Sequence, residues 1–289
     1  MTRLPITKTP KVYVGGAFIR SESGRTFPLK DAEGRFFANI PQCTRKDLRN
    51  AVEAAAKAGP GWAKRTPYNR GQILYRLGEM LEARKADMAD AITFGGTTSA
   101  SSARREITAT VDRLIYYAGW ADKYEQVLGN VNPVASSHFN FTVTEPMGIV
   151  GVIAPDEAPL LGLVSLIAPV IVSGNTAVAL ASATQPYPSI ILGEMLATSD
   201  LPGGVVNLLT GFRKELVPTF ATHTHLRAIT GVADADERKA IKLGAAESVK
   251  RGHLLKSEEP RDWFKDSAQS LYAIRDFLEF KTTWHPIGA

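Results

Sequence analysis

Asp156 and Glu157 stand side by side in the turn Pro155-Asp156-Glu157-Ala158-Pro159. Paired carboxylates can do general acid–base work or hold a cation. Adjacent residues seldom direct their side chains to one point, however, and no nucleophile accompanies them. His223 and His225 are two residues apart, so on a strand they would face one way, as two metal ligands must. No third ligand or close carboxylate follows, which favours a solvated loop. Asp234, Asp236 and Glu237 cluster where a helix is predicted to start, and there they offset the helix dipole. The same charge disfavours a pyrophosphate at that place. Cys43 is the single cysteine, so a disulfide framework and a cysteine-based zinc site are excluded. It reads as a small core side chain.

The elements around these residues change character along the chain. Residues 11–43 read as short strands and turns, with Gly15-Gly16 as a hairpin signal and 21–24 as a loop. Thr44, with Asp47 three residues on, marks a helix start, and Gly59-Pro60-Gly61 marks its end. Thr66-Pro67 repeats the start signal. Ile73, Leu74, Leu77, Met80, Leu81 and Met88 then follow at helical spacing. A loop at 95–102 precedes another helix carrying Ile107, Val111, Leu114 and Ile115. His138–Thr144 alternates, with Phe139, Phe141 and Val143 on one face of a half-exposed strand that would want a partner. From Gly148 apolar strands at 149–154, 176–181, 205–209 and 226–230 alternate with helices. Such runs predict an α/β fold, a doubly wound parallel sheet covered on both faces. These sheets bind ligands at the carboxyl ends of their strands. No GxGxxG fingerprint follows any of them.

At 289 residues the chain has room for one large or two modest domains. Its net charge is +5, from 34 Lys and Arg against 29 Asp and Glu. The distribution matters more than the sum. No Lys or Arg occurs between Lys123 and Arg213, while six carboxylates do: Glu125, Glu145, Asp156, Glu157, Glu194 and Asp200. A cationic groove for a nucleic-acid backbone cannot be built from that window. Arg45, Lys46 and Arg49 make the N-terminal part basic, as a solvated surface or, second, as a face for an acidic partner. The stretch Ala158–Gly193 is uncharged, but its strongly apolar part, Leu160–Val172, is only thirteen residues long and contains Gly162 and Pro169. A membrane span needs about 20, so it reads as a buried helix. The start, MTRLPITKTPKVYVGG, has no apolar run, so no secretory signal is expected. The sequon Asn140-Phe141-Thr142 then carries no meaning, and the expected location is the cytoplasm.

Six blocks in order carry a family resemblance: YVGGAFIRSESGRTFPL, RLGEMLEARKADMADAI, YYAGWADK, EPMGIVGVIAP, GNTAVALAS and DLPGGVVNLLTG. Together they resemble the aldehyde dehydrogenase superfamily, collinearly over about residues 11–256. The resemblance implies a Rossmann-like dinucleotide-binding part, a catalytic domain and a β-arm that builds oligomers. It also shows departures. The family turn PWNFP donates an oxyanion hydrogen bond from its Asn, and the matching position here is Glu157. A carboxylate repels a developing oxyanion, where a good donor is worth about 2.7–4 kcal/mol. The family's KPSE, whose Lys and Glu contact the ribose, is Leu180-Ala181-Ser182-Ala183. Its FTGS is Ile229-Thr230-Gly231-Val232, so the hydroxyl is gone. The general base of LELGG falls on Leu255.

The resemblance thus implies that the catalytic positions Glu157 and Leu255 are degenerate. Pro155, Leu180, Gly211, Thr230, Gly231 and Val232 are vestiges of a cofactor site. Only 31 residues follow Glu258, fewer than the ~50 a domain needs, so the catalytic domain with its nucleophile is expected to be absent. The ending Phe277–Trp284 resembles the family's C-terminal strand. The expected organisation is an N-terminal strand and helix part at 1–129, a β-arm at 130–147, a Rossmann-like part at 148–258 and a C-terminal helix and strand at 259–289. Phe139, Phe141, Val143, Phe277, Phe280 and Trp284 are the expected oligomerisation residues. The resulting expectation is a non-catalytic aldehyde dehydrogenase-like subunit without cofactor or metal. It would assemble with a full-length aldehyde dehydrogenase subunit or with itself, and bind neither nucleic acid nor membrane. The alternatives are a residual NAD(P)-dependent oxidoreductase acting on an aldehyde, a cofactor-binding module, or a truncated product that does not assemble.

Overall fold

The computed structural model describes residues 8–96, 98–259 and 261–288. The chain start at 1–7, Thr97 of the predicted 95–102 loop, Pro260 and Ala289 lie outside them. The hairpin at Gly15-Gly16 joins β1 (Val12–Val14) to β2 (Ala17–Ile19), and both glycines have positive φ, 63° and 86°. That backbone suits a tight hairpin and favours glycine. β3 (Thr26–Lys30) and β4 (Phe36–Pro41) form a separate antiparallel pair.

Helix α1 (Arg45–Ala63) starts as expected, with Thr44 and Asp47 in a reciprocal capping box. It does not stop at Gly59-Pro60-Gly61. An internal proline costs about 3 kcal/mol. Trp62, just beyond, is 1% exposed, and its indole N–H donates to the Ile171 carbonyl at 2.8 Å. Burying an indole of ~150–250 Å² at ~25 cal/mol/Å² contributes about 4–6 kcal/mol, which carries the helix past the proline. α2 (Pro67–Ala83) and α3 (Lys85–Thr93) break at Arg84, so Met88 belongs to a second helix, not to one continuous element. α4 (Ala100–Trp120) and the short α5 (Tyr124–Leu128) follow, then β5 (Asn130–Asn132) and β6 (His138–Pro146).

The regular alternation comes next: β7 (Ile149–Ile153), α6 (Pro159–Val172), β8 (Thr176–Leu180), α7 (Tyr187–Leu196), β9 (Val206–Leu209), α8 (Arg213–Thr222), β10 (Leu226–Ala233), α9 (Ala235–Ser248) and β11 (Arg251–Lys256). α10 (Leu271–Arg275) and β12 (Leu278–Pro286) close the chain. The main sheet runs β11-β10-β7-β8-β9-β1-β2, and the pairings from β11 to β9 are parallel. β1 joins β9 antiparallel, so the sheet is mixed and the N-terminal region supplies two of its strands. The N-terminal part therefore shares this sheet. α6 is buried along its whole length on one side, beside Leu74, Leu114 and Trp62. Leu48, Val178, Leu180 and Phe220 fill the other side. Both faces are covered, as an α/β sheet requires. Among the described residues no helix is long and apolar enough to cross a membrane.

A second sheet, β12-β6-β5, stands apart as an arm. Phe139, Phe141 and Val143 share one face of β6, as their alternation predicts. Phe139, Phe141 and Val143 lie opposite His285, Thr283 and Lys281, whereas Phe280 and Trp284 lie opposite Thr144 and Asn140. Residues directly opposite share a face. Phe280 and Trp284 are therefore on the other side of the arm from the three β6 residues. Phe277 is not on the arm: it is 3% exposed and belongs to the main core.

Candidate functional site

The strand order places β7 between β8 and β10, so the winding reverses between β7 and β10. The carboxyl ends of the strands at such a reversal are the usual ligand position of these sheets. The two strands come very close. Gly231 of β10 has φ +139°, and a Cβ there would sit 2.1 Å from the Ile153 carbonyl oxygen of β7. Only glycine fits.

Five donors at this end are taken by the chain's own carboxylates. Asp156, in the loop after β7, accepts from the Ser182 hydroxyl at 2.6 Å, from Ala183 N–H at 2.8 Å and from Thr184 N–H at 3.1 Å. Those three donors form the loop after β8. Glu106 reaches in from α4, 4% exposed, and its Oε1 accepts from Leu160 and Leu161 N–H at 2.8 and 3.1 Å. These are N-terminal donors of α6, whose entry residue Ala158 is left-handed and gives no side-chain cap. Burial pushes the Glu106 carboxyl above its ordinary value, against the pull of those two N–H groups.

Arg213, at the start of α8, ties three loops together. Its Nε donates to Glu237 at 3.0 Å, Nη2 donates to the Val232 carbonyl, and Nη1 lies 4.0 Å from Asp156 Oδ2. Glu237 also completes a capping box with Asp234, so this acidic cluster both starts α9 and holds Arg213.

The positions read from sequence fall as follows. Glu157 is exposed. Pro155 is buried against Gly162, where a Cβ would meet its ring at 2.2 Å. Leu180 is fully buried in the core, and Leu255 packs against the core on the α6 side. Thr230 donates to the His253 carbonyl at 3.1 Å, and Val232 is 6% exposed. Gly211 has φ +149° and faces the backbone of Cys43. Asp156 and Glu157 do not converge. His223 and His225 lie in the turn between α8 and β10, with His225 N–H donating to His223 Nδ1 at 3.3 Å. Among the described residues no group of three or more His, Cys, Asp or Glu could hold a metal.

A dinucleotide needs free backbone donors for its pyrophosphate and a polar pair for its ribose. Here Ala183 and Thr184 N–H are engaged by Asp156, the acidic Asp234, Asp236 and Glu237 flank β10, and Leu180 is apolar. The residues present do not fit such a group. Glu106, Ser182 and Arg213 were not evident as site residues. Arg213 had one signal, as the first cation after the cation-free window. Glu106 had none, because it reaches α6 from more than fifty positions away in the chain.

Residues 18–256 match the profile of the aldehyde dehydrogenase family. The chain is 31% identical over 267 residues to retinal dehydrogenase 2 of Mus musculus, covering 90% of this chain and 51% of the relative. It is 31% identical over 263 residues to an aldehyde dehydrogenase of Alternaria alternata, covering 89% and 52%. Among solved structures, the NAD+ complex of an aldehyde dehydrogenase from Bacillus cereus superposes with a TM-score of 0.81 at 25% identity, over 86% of this chain and 51% of that one. HpcC from Thermus thermophilus gives 0.81 at 27% identity, over 86% and 48%. The chain spans about half the length of the curated relatives it matches. With its α/β sheet, its order of strands and more than four-fifths of its residues matched, this chain belongs to the aldehyde dehydrogenase family.

Proposed function

We propose that the chain is a non-catalytic aldehyde dehydrogenase-like subunit that assembles with a full-length aldehyde dehydrogenase, or with a second copy of itself, in a structural or regulatory role. One observation carries the non-catalytic part. At the carboxyl ends of the strands, Asp156 takes up the donors of the Ser182–Thr184 loop and Arg213 lies between Asp156, Val232 and Glu237. A cofactor entering there would have to displace hydrogen bonds to charged groups, each worth about 1.5–3 kcal/mol. Glu157 in place of an oxyanion donor and Leu255 in place of a base agree with this reading.

The arm supports assembly. Among the described residues β12 pairs only with β6, which leaves its other edge open, and Phe139, Val143, Phe280 and Trp284 are exposed on the two faces of the arm. Open apolar edges invite another strand. The alternative, a residual NAD(P)-dependent oxidoreductase or cofactor module, draws on the likeness to the NAD+ complex from Bacillus cereus. Calorimetric titration of the chain with NAD+, paired with native mass measurement after co-expression with a full-length aldehyde dehydrogenase, separates the two. The expected result is no micromolar NAD+ binding and a defined oligomer. Micromolar binding, or turnover of an aldehyde by the isolated chain, would overturn the reading.

A further inference from the structure

A cavity of ≈ 470 Å³ lies on the α6 side of the sheet, between edge strand β11 and the segment 261–277. That volume falls in the range of small-molecule pockets, about 300–1,000 Å³. Leu166, Pro169, Leu255 and Phe277 make its apolar walls, and His253, Arg261, Trp263 and Asp276 its polar ones.

The wall is firmly built. Arg113 of α4, 4% exposed, donates to the Trp263 carbonyl at 2.9 Å, to the Ala268 carbonyl at 3.0 Å and to the Ser165 hydroxyl at 2.5 Å. It thereby fixes the C-terminal segment against α6. Trp263 is 3% exposed, yet its indole N–H has no acceptor among the described residues. His253 Nε2 is likewise buried and unpaired, while Nδ1 faces Asp276 Oδ2 at 3.5 Å. The Arg261 guanidinium lies over the Trp263 ring, 5.2 Å from its centre, and gives one long bond of 3.3 Å to the Ser267 carbonyl. Buried polar groups are normally satisfied, so unpaired ones around a void call for a partner.

We propose that this cavity binds a small organic carboxylate with a short alkyl or phenyl body. The indole and the guanidinium can only donate, and a carboxylate can only accept. His253 Nδ1 faces Asp276, so Nε2 is the ring nitrogen left for the ligand. An amine would find one carboxylate, already facing His253, and two donors it cannot use. The site is independent of the assembly reading, because every residue in it belongs to one chain.

The test is a titration of the uniformly ¹⁵N-labelled full chain with sodium benzoate, followed on the indole N–H resonances of its 4 tryptophans. Benzamide and benzyl alcohol are the uncharged controls. Benzoate is expected to move the Trp263 resonance saturably, with at least about tenfold preference over both controls. Trp263→Phe keeps an aromatic ring but loses the N–H, and Arg261→Gln removes the charge of a side chain that is largely exposed. Each is expected to weaken benzoate about tenfold, read in Trp263→Phe on the backbone amides of His253 and Leu255. Equal binding of the controls, an unmoved Trp263 resonance, or unchanged affinity in Arg261→Gln would overturn the proposal.

Discussion

The Asp156 carboxylate and the Ser182 hydroxyl meet at 2.6 Å across the ends of β7 and β8, 26 residues apart in sequence. The same oxygen takes two backbone N–H groups of the next residues. A loop whose amides could face an external anion is thus turned inward. Replacing Asp156 by Ala leaves three donors without their acceptor. We expect a loss of about 1–3 kcal/mol in urea unfolding, with Asp156→Asn losing less because its amide oxygen still accepts. Equal stability of Asp156→Ala and the parent chain would contradict the bonding described.

Glu106 predicts a pH dependence. Burial raises its carboxyl above the ordinary value of 4.5 in the folded chain. The folded state then holds the proton more tightly than the unfolded chain. Its contribution is fully present below about pH 4.5 and is lost as the pH rises through the raised value. Glu106→Gln keeps an acceptor for Leu160 and Leu161 N–H and removes the titration. Melting temperatures of the two proteins, measured from about pH 4 to pH 8, should show the parent losing ground to the variant as the pH increases. Parallel curves would refute this role.

Gly231 sets the tightest fit in the sheet. An alanine methyl there would collide with the Ile153 carbonyl at 2.1 Å, and φ is +139°. Gly231→Ala is expected to lose at least about 3 kcal/mol in denaturant unfolding. Gly24→Ala is a useful contrast, because nothing lies within 4 Å there and only the φ of +68° opposes it.

Cys43 is 0% exposed, and burial, with Asp47 nearby, pushes its thiol up to about 12. The thiolate is the reactive form, so a folded chain should resist Ellman's reagent at mildly alkaline pH. The same thiol should react at once in denaturant. Rapid labelling of the folded protein would show that this strand end opens.

The arm gives a further measurement. Because Phe139 and Trp284 face opposite ways, Phe139→Ser and Trp284→Ser probe separate surfaces. Loss of the proposed oligomer in one variant alone would identify the packed face. Loss in neither, with the oligomer intact, would place assembly elsewhere.

The order of elements from β7 to α9 was legible because each carries a local signal. Apolar runs without alternation gave the parallel strands, and Thr44 with Asp47 gave a helix start whose bonds lie within four residues. The family blocks were local in the same way. Misread features depended on distant partners. Pro60 looked like a stop because the Ile171 carbonyl that anchors Trp62 lies 109 residues onward. The side of the arm taken by Phe280 and Trp284 was not legible, because strand register is a relation between two segments, and shifting it by one residue turns every side chain over. The sequence by itself determined which residues are apolar, which loops lack cations, and which family the chain resembles. Only the tertiary structure decided that Asp156 takes up the donors of the Ser182–Thr184 loop, that Glu106 takes up those at the start of α6, and that Arg213 donates to Val232 and Glu237 beside Asp156. A charge two or three turns of fold away has no periodicity to announce it, and its partner is chosen when the layers close.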